Sequence, residues 1–532
     1  MDKSNSQNGI ETPAWVKQLE REYERGTAYK NRLGMYDAVK TAENFYEGRQ
    51  WEGLKTQAIK PLTMNFIRRL ITYFIAMVVS DDISNELRPY RNSPEIEMQV
   101  KALSKSIDRV IERAKLTDLG REALRDAAVD GDACLYFWFD ADAPTGRMGV
   151  QGEIEAELIM NTNVIFGNPS SSDVQKQPYI LIVQRLPVEQ VRAEARAAGL
   201  DFECIMPDAD ANYKGEDETA STEHLVTVKT RFWKGDDRMV RFARTAGGVA
   251  LKDETETGLT RYPIAYWSWL PRKNSCHGVR LMDELIHTQI TINQIWTAIS
   301  MHIQNAALGK MIYNRQKFPN GWDSTPGKAI GVIGDPRDSI AAQMQGVPLP
   351  NQITDVVDLM ISTARDFAGA SDAALGNVKP ENTSAILAVQ KASSAPLELQ
   401  RMGFYRFVED YIRVLLDMMH AYYGVREIQI EDDTEPVMVD FGAMEPDALD
   451  LKVEVGAASY WSELTQIANA DSLLEKGIIQ DPIDYLEAIP DGLIKNKANL
   501  IKTIKENYAA QGMGMQEAAG GMAGLPAEAA MM

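Results

Sequence analysis

Apolar residues recur every three or four positions along several long stretches of this chain, and gather into short β-branched and aromatic runs along others. In residues 13–40, Trp15, Leu19 and Tyr23 step at helical spacing between charged residues, which predicts one or two surface helices. The stretch "NFIRRLITYFIAMVV" (65–79) predicts a more buried helix. Val100, Leu103, Ile107 and Ile111 carry a helical stripe through 97–130. The texture then changes. "CLYFWFD" (134–140), "EIEAELI" (153–159), "YILIVQRL" (179–186), "HLVTVKTRFW" (224–233) and "RMVRFAR" (238–244) are separated by polar loops and read as strands. "PVEQVRAEARAAG" (187–199) reads as a helix with proline at its start and glycine past its end.

A helical pattern returns over 279–308. Leu285, Ile292 and Ile299 recur every seven residues, and Ile295, Trp296 and Ile303 widen the stripe. Within it, "HTQITINQIWTAISMHIQNAALGK" (287–310) carries no acidic or basic side chain, histidine aside, before its last lysine. It is studded with Gln289, Asn293, Gln294, Gln304 and Asn305. A Gly/Pro-rich insert with short strand-like pieces follows. Helix resumes over 352–368, with Ile353, Val356, Val357, Met360, Ile361, Ala364 and Phe367 on one face. After the loop "GASDAALGNVKPENTS", a very long helix is expected from Ser384 to Tyr423, kinked at Pro396 because proline lacks a donor and clashes with the preceding turn. A strand pair is expected at 426–441 and two or three short helices at 460–508. The Ala/Gly/Met-rich tail has few residues to anchor a core and reads as disordered. The fold class expected is α+β, predominantly helical.

Composition narrows the function classes. The 532 residues are 45% hydrophobic and 25% charged, enough for a large core spread over two to four domains. The formal net charge of -20 disfavours tight, sequence-independent grip on nucleic acid, which needs a basic footprint. It leaves open loose passage past an acidic surface, and solubility explains it equally. Three cysteines (Cys134, Cys204, Cys276) make no C-x-x-C pair and no disulfide framework, which suits a reducing compartment. The polar start lacks the apolar core of a signal peptide. The longest apolar run, 70–79, is about half of what spans a bilayer.

No catalytic constellation stands out. "GWDSTPGK" (321–328) has one residue too many between its glycines for a phosphate loop, and Ala329 stands where Ser or Thr would hold magnesium. "DADAN" (208–212) fails as a calcium loop, with Tyr213 at the turn glycine and Thr219 at the twelfth position. The five histidines form no H-x-x-x-H pair, and Cys276 beside His277 cannot alone complete a tetrahedral zinc site. No G-x-S-x-G elbow is present. "NTS" at Asn382 is a sequon by pattern only. No cofactor or metal ligand set is expected.

Several segments taken together resemble the portal proteins of tailed bacteriophages. "NFYEGRQW" (44–51) followed by "KPLTMNFIRRLITYFIAMVV" (60–79) is similar to that family's amino-terminal signature. "DAAVDGDACLYFWFD" (126–140), "NVIFGNPSSSDVQKQPYILIVQRLPVEQV" (163–191) and "YPIAYWSWLP…HGVRLMDELIHTQITINQI" (262–295) resemble its later segments. Two departures stand out: Asn168 replaces the usual Asp, and Val279–Arg280 follow the glycine where Ser or Pro is common. Order and spacing, over most of 40–425, carry the match.

The resemblance implies a non-enzymatic ring, usually of twelve subunits, at one capsid vertex of the virion and assembled in the host cytoplasm. Double-stranded DNA would pass through it. It implies a wing over 1–278, a first stem helix over 279–309, a clip over 310–350 and a second stem helix over 351–370. A tunnel loop would follow at 371–383, the kinked helix and wing strands over 384–455, a crown over 456–510 and a free tail over 511–532. Its partners would be further copies of the chain, terminase, head–tail connector or adaptor proteins, and major capsid and scaffolding proteins, with no membrane. Candidate residues are Asn377, Lys379 and Asn382 in the tunnel loop. Gln289, Asn293 and Gln304 would face the channel, and Trp322, Lys328 and Arg337 would make clip contacts. An uncharged amphipathic helix is more often the mark of a plain buried bundle helix; the resemblance alone turns 279–308 into a stem. The rival readings are a metal-dependent nucleic-acid-processing enzyme using Asp208 and Asp210, and a head–tail adaptor ring without a translocation role.

Overall fold

The computed structural model describes residues 13–52, 61–79, 83–89, 94–145, 151–200, 202–208, 224–307, 311–316, 341–343, 352–367, 397–429, 437–443, 449–455 and 482–489, with single positions and short runs between and after them up to 504. The chain is mixed α+β, about half helical, with several antiparallel sheets. It divides into two compact units, Met1–Val79 with Asn85–Val453, and Ser80–Ser84 with Glu454–Met532.

The larger unit begins with three amphipathic helices, α1 (Ala14–Arg32), α2 (Met35–Glu47) and α3 (Phe66–Val78). Gly34 and Gly48, both at positive φ, flank α2. The Asn65 side chain caps α3 by accepting from Arg68 N at 3.2 Å. After β1 (Ile83–Pro89), the single helical stretch expected over 97–130 is two helices, α4 (Pro94–Arg113) and α5 (Leu116–Asp130). Lys115 separates them, in the left-handed region at φ 51°.

Two sheets follow. Strands β2 (Asp132–Pro144) and β3 (Gln151–Ile159) pair antiparallel. Next come β4 (Val164–Phe166), β5 (Tyr179–Pro187), α6 (Val188–Ala197), β6 (Leu225–Lys234), β7 (Val240–Ala246), β8 (Val249–Glu256) and β9 (Ile264–Ser268). Strand β9 joins the first group in the order β3-β2-β9, while β4 to β8 form a five-stranded meander in sequence order. On the meander, α6 buries Val188, Val191 and Ala195 against Val226, Val228, Ala246 and Leu251. Leu19 of α1 packs on Ile165 and Leu181.

The expected helix over 279–308 is α7 (Met282–Ala307), about 39 Å long. Strand β10 (Met311–Tyr313) pairs with β11 (Ala341–Gln343), Ile312 opposite Ala342, and α8 (Gln352–Phe367) packs against α7. The described part of the long helix expected at 384–423 is α9 (Glu398–Tyr422), which starts two residues after Pro396; residues 384–396 lie outside the described set. Phe404 and Phe407 of α9 lie 6.0 and 6.5 Å from the Trp267 ring of β9, and Tyr411 lies 6.3 Å from Phe137 of β2. The strand pair expected at 426–441 is present as β12 (Val425–Ile428) and β13 (Val437–Asp440), antiparallel. Strand β14 (Leu449–Val455) follows.

In the smaller unit the helix α10 (Pro482–Ala488) is described, and Tyr485 donates to Asp471 at 2.6 Å. No described helix is long and apolar enough to cross a membrane. The tail over 511–532 lies outside the described residues.

Candidate functional site: the amide-bearing helix and its supports

Helix α7 has two unlike sides. Leu285, Ile292 and Ile299 are buried, as the seven-residue spacing predicts. Gln289 and Asn293, one turn apart, are buried on the same side, 0% and 1% exposed. They were expected to face a channel; the structure places them inside the subunit instead. Gln289 Nε2 donates to Met64 O at 2.5 Å and to Asn293 Oδ1 at 3.0 Å, while Phe66 N donates to Gln289 Oε1 at 3.2 Å. Met64 N donates to Asn293 Oδ1 at 3.0 Å, and Asn293 Nδ2 donates to Gln50 Oε1. One turn on, Leu62 N donates to Thr297 Oγ1 at 3.1 Å.

The reason is a backbone need. Residues 61–65 lead into α3 without helix or strand hydrogen bonding of their own, so the amides of α7 satisfy polar groups of this stretch. Other polar side chains lock the same joint. Gln50 Nε2 donates to Phe45 O at 3.1 Å, Trp51 Nε1 to Leu62 O at 3.3 Å, and Asn65 Nδ2 to Tyr46 O at 2.8 Å. Gln50, Trp51 and Asn65 are the motif residues of 44–65, so that motif has a structural task here: docking the chain onto α7.

The other side of α7 is open. From Leu285 to Gln304 the exposed residues on that side are His287, Gln294 and Ala298; Ile303 and Gln304 are exposed too, but at about 3.6 residues per turn they lie in line with Leu285 and Asn293, past the buried stretch. None is acidic, lysine or arginine. Gln304 is thus the one channel-facing candidate on the surface of the subunit. Ile303, expected in the apolar stripe, is 55% exposed. On α8, Val357 is buried while Val356 and Leu359 are 47% and 64% exposed, so part of its apolar surface has no cover among the described residues. Ile312 on β10 is exposed as well. Asn377, Lys379 and Asn382, and Trp322, Lys328 and Arg337, lie outside the described residues.

Where α7 departs from the sheet, a buried polar network holds the chain. Asp132, at the start of β2, accepts from Gly278 N and Ser268 Oγ, each at 2.7 Å, and pairs with His277 Nδ1 at 3.0 Å. Tyr266 OH lies 3.2 Å from the same ring nitrogen. This set has the residue types of a hydrolytic centre. Its members, however, are spent on one another and on backbone, and Asp132 is only 2% exposed. Nearby, the fully buried Lys30 donates to the carbonyls of Asn161, Thr162 and Val164, and burial pushes its pKa down to about 7. Burial also pushes the Cys276 thiol up to about 12 and the Cys134 thiol higher, so neither is a ready nucleophile. Asp208, one of the two carboxylates the enzyme reading would use, accepts from Thr227 Oγ1; Asp210 lies outside the described residues.

One grouping was missed from sequence. Glu43 of α2 and Asp126 and Asp130 of α5 place carboxylate oxygens within 4.8 Å of one another. The i, i+4 spacing of Asp126 and Asp130 was visible, but Glu43 stands 83 residues before Asp126, and nothing in the local pattern joins them.

No family model matches this chain, and no curated protein matches it.

Proposed function

We propose that this chain is the subunit of a phage portal: a ring at one capsid vertex through which terminase drives DNA in and through which the genome later leaves. The observation that carries the reading is the ordered series of portal-like segments between residues 44 and 295, ending at the uncharged helix α7. Three features of the fold support it. Two packed helices, α7 and α8, flank an insert whose ends pair as β10 and β11. The open side of α7 (His287, Gln294, Ala298) and the exposed Gln304 near its end carry no fixed cation, so this surface can be wetted by a passing polyanion without the salt-dependent grip that each lysine or arginine adds. Val356, Leu359, Ile303 and Ile312 are apolar and uncovered, as residues facing a neighbouring copy would be.

On this reading the ring is a dodecamer, 310–350 is the clip that meets terminase and head–tail proteins, and 371–383 is a loop aimed into the channel. The wing, stem and crown follow the boundaries given above. Images of the purified full chain test it directly: rings with an axial hole are expected. A monodisperse monomer at micromolar concentration and physiological salt overturns the proposal.

A further inference from the structure

The carboxylates of Glu43, Asp126 and Asp130 converge where α2 meets the end of α5. One guanidinium serves two of them. Arg125 bonds Glu43 through one nitrogen and Asp126 through the other at 2.9 Å, with its face 5.0 Å from the Tyr46 ring. Asp130 is left over. It is 6% exposed, and its Oδ1 is buried with no hydrogen-bond donor among the described residues. Arg280 is the next cation in its field, but that side chain bonds Asp283 at 3.0 Å.

A buried carboxylate oxygen without a partner is costly, and one site holding three carboxylates against one guanidinium is short of positive charge. The backbone does not supply the missing charge. Asp130 closes α5, where the helix dipole is negative and favours a cation. The carbonyls there are already engaged: Ala127 O by Gly131 N at 3.0 Å, Ala128 O by Leu281 N at 3.1 Å, and Asp130 O by Asn161 Nδ2 at 2.9 Å. What lacks a partner is the side chain. Burial raises the Asp126 carboxyl to about 6 and Asp130 well above its usual range, with Glu43 adding to both, which marks the same unmet demand.

We propose that Glu43, Asp126 and Asp130 form a binding site for a hard divalent cation, Mg2+, Mn2+ or Ca2+, that ties α2 to the end of α5. The donors are all oxygen, which selects hard cations over zinc or copper. Oxygens held about 2.0–2.6 Å from one ion stand up to roughly 5 Å apart, which the 4.8 Å spread satisfies. The ion supplies the charge that Arg125 cannot, and water completes its shell. Its position has a consequence. Gly131 and Asp132 follow Asp130 directly, and Asp132 holds Gly278 and His277, four to five residues before α7 begins. An occupied site therefore stiffens the footing of α7. The inference does not depend on ring formation or on DNA.

The test uses the full chain stripped with chelator and titrated with Mn2+, followed by electron paramagnetic resonance and by thermal melting. About one Mn2+ per chain is expected, with melting temperature rising as the ion is added and Mg2+ or Ca2+ competing. Asp130→Asn is expected to weaken Mn2+ binding at least tenfold while melting, in chelator, no lower than the stripped native chain. The neutral amide removes a buried carboxyl. If Asp130→Asn does not fold, Glu43→Gln is read in the same way for Mn2+ affinity. Binding by the folded variant equal to that of the native chain overturns the proposal. So does the absence of any Mn2+ bound to the native chain at millimolar concentration.

Discussion

Replacing Asn293 by alanine separates the two places its amide could be. In the fold it is a buried clamp, and the substitution takes a partner from three groups: Met64 N and Gln289 Nε2, each bonded to Asn293 Oδ1 at 3.0 Å, and Gln50 Oε1, which accepts from Asn293 Nδ2. An orphaned buried polar group costs about 1–3 kcal/mol. Met64 is partly exposed, so water recovers some of its share, and Gln289 keeps its own bond to Met64 O. The expected loss is about 2–4 kcal/mol. It should be felt locally, in the docking of 62–66 on α7. Because about 1.4 kcal/mol is a factor of ten, amide hydrogen exchange at Phe66 should speed up roughly 30- to 1000-fold. A lower urea midpoint should accompany it. The same change at Gln304, exposed near the end of the helix, should stay within about 0.5 kcal/mol of the native chain. If Asn293→Ala is as silent as Gln304→Ala in both exchange and urea, the buried clamp is wrong and the amide faces solvent.

Lys30 gives a pH prediction. Its folded-state pKa, lowered from 10.5 to about 7 by burial, lies below its unfolded value. Between pH 7 and 10.5 the unfolded chain binds the extra proton, so this group makes stability rise with pH there, by up to about 1.4 kcal/mol per pH unit. Lys30→Met should flatten the rise in urea midpoint between pH 7 and 9 relative to the native chain, although it also leaves three carbonyls without their donor; an unchanged slope refutes the reasoning. Thiol labelling of the native chain should modify the exposed Cys204 and spare Cys134 and Cys276, with all three reacting only after unfolding; rapid labelling of Cys276 would contradict its burial. On the portal reading, deleting 319–337 should leave the larger unit folded, by circular dichroism and protease resistance, yet block DNA packaging. Normal packaging by that deletion removes the clip assignment.

How far the fold could be read from sequence depended on length and repetition. The helices α3, α6, α7 and α8 and the strands β2, β3, β5, β6 and β7 follow from apolar spacing sustained over several residues. The break between α4 and α5 does not, because Lys115 takes a left-handed conformation that no glycine or proline announces. Strand β4 is only three residues long, and β8, "VALKDETE", is a charged edge strand whose outer half faces water. Its polarity protects the edge and hides the strand. Strand β9, read only as part of a longer segment, owes its place to pairing with β2 far earlier in the chain, as in Asp132 opposite Ser268, 136 residues apart.

Helix α7 shows where a sequence pattern divides into two physical causes. Its lack of charge reads as one property, yet each side has its own reason for it. On the buried side a charge would be costly, and Gln289 and Asn293 are there because amides can both donate and accept to a stretch of backbone more than 220 residues away. That side would look the same in any protein that docks a segment without helix or strand pairing on a helix. On the open side no such constraint acts. Water accepts lysine and glutamate readily, and surface helices normally carry them. The absence of fixed charge across Gln294 and Ala298, and at the exposed Gln304 toward the helix end, is therefore the part of the pattern that packing within the subunit leaves unexplained. It is on these residues, rather than on the buried pair, that the proposed passage of DNA has to rest.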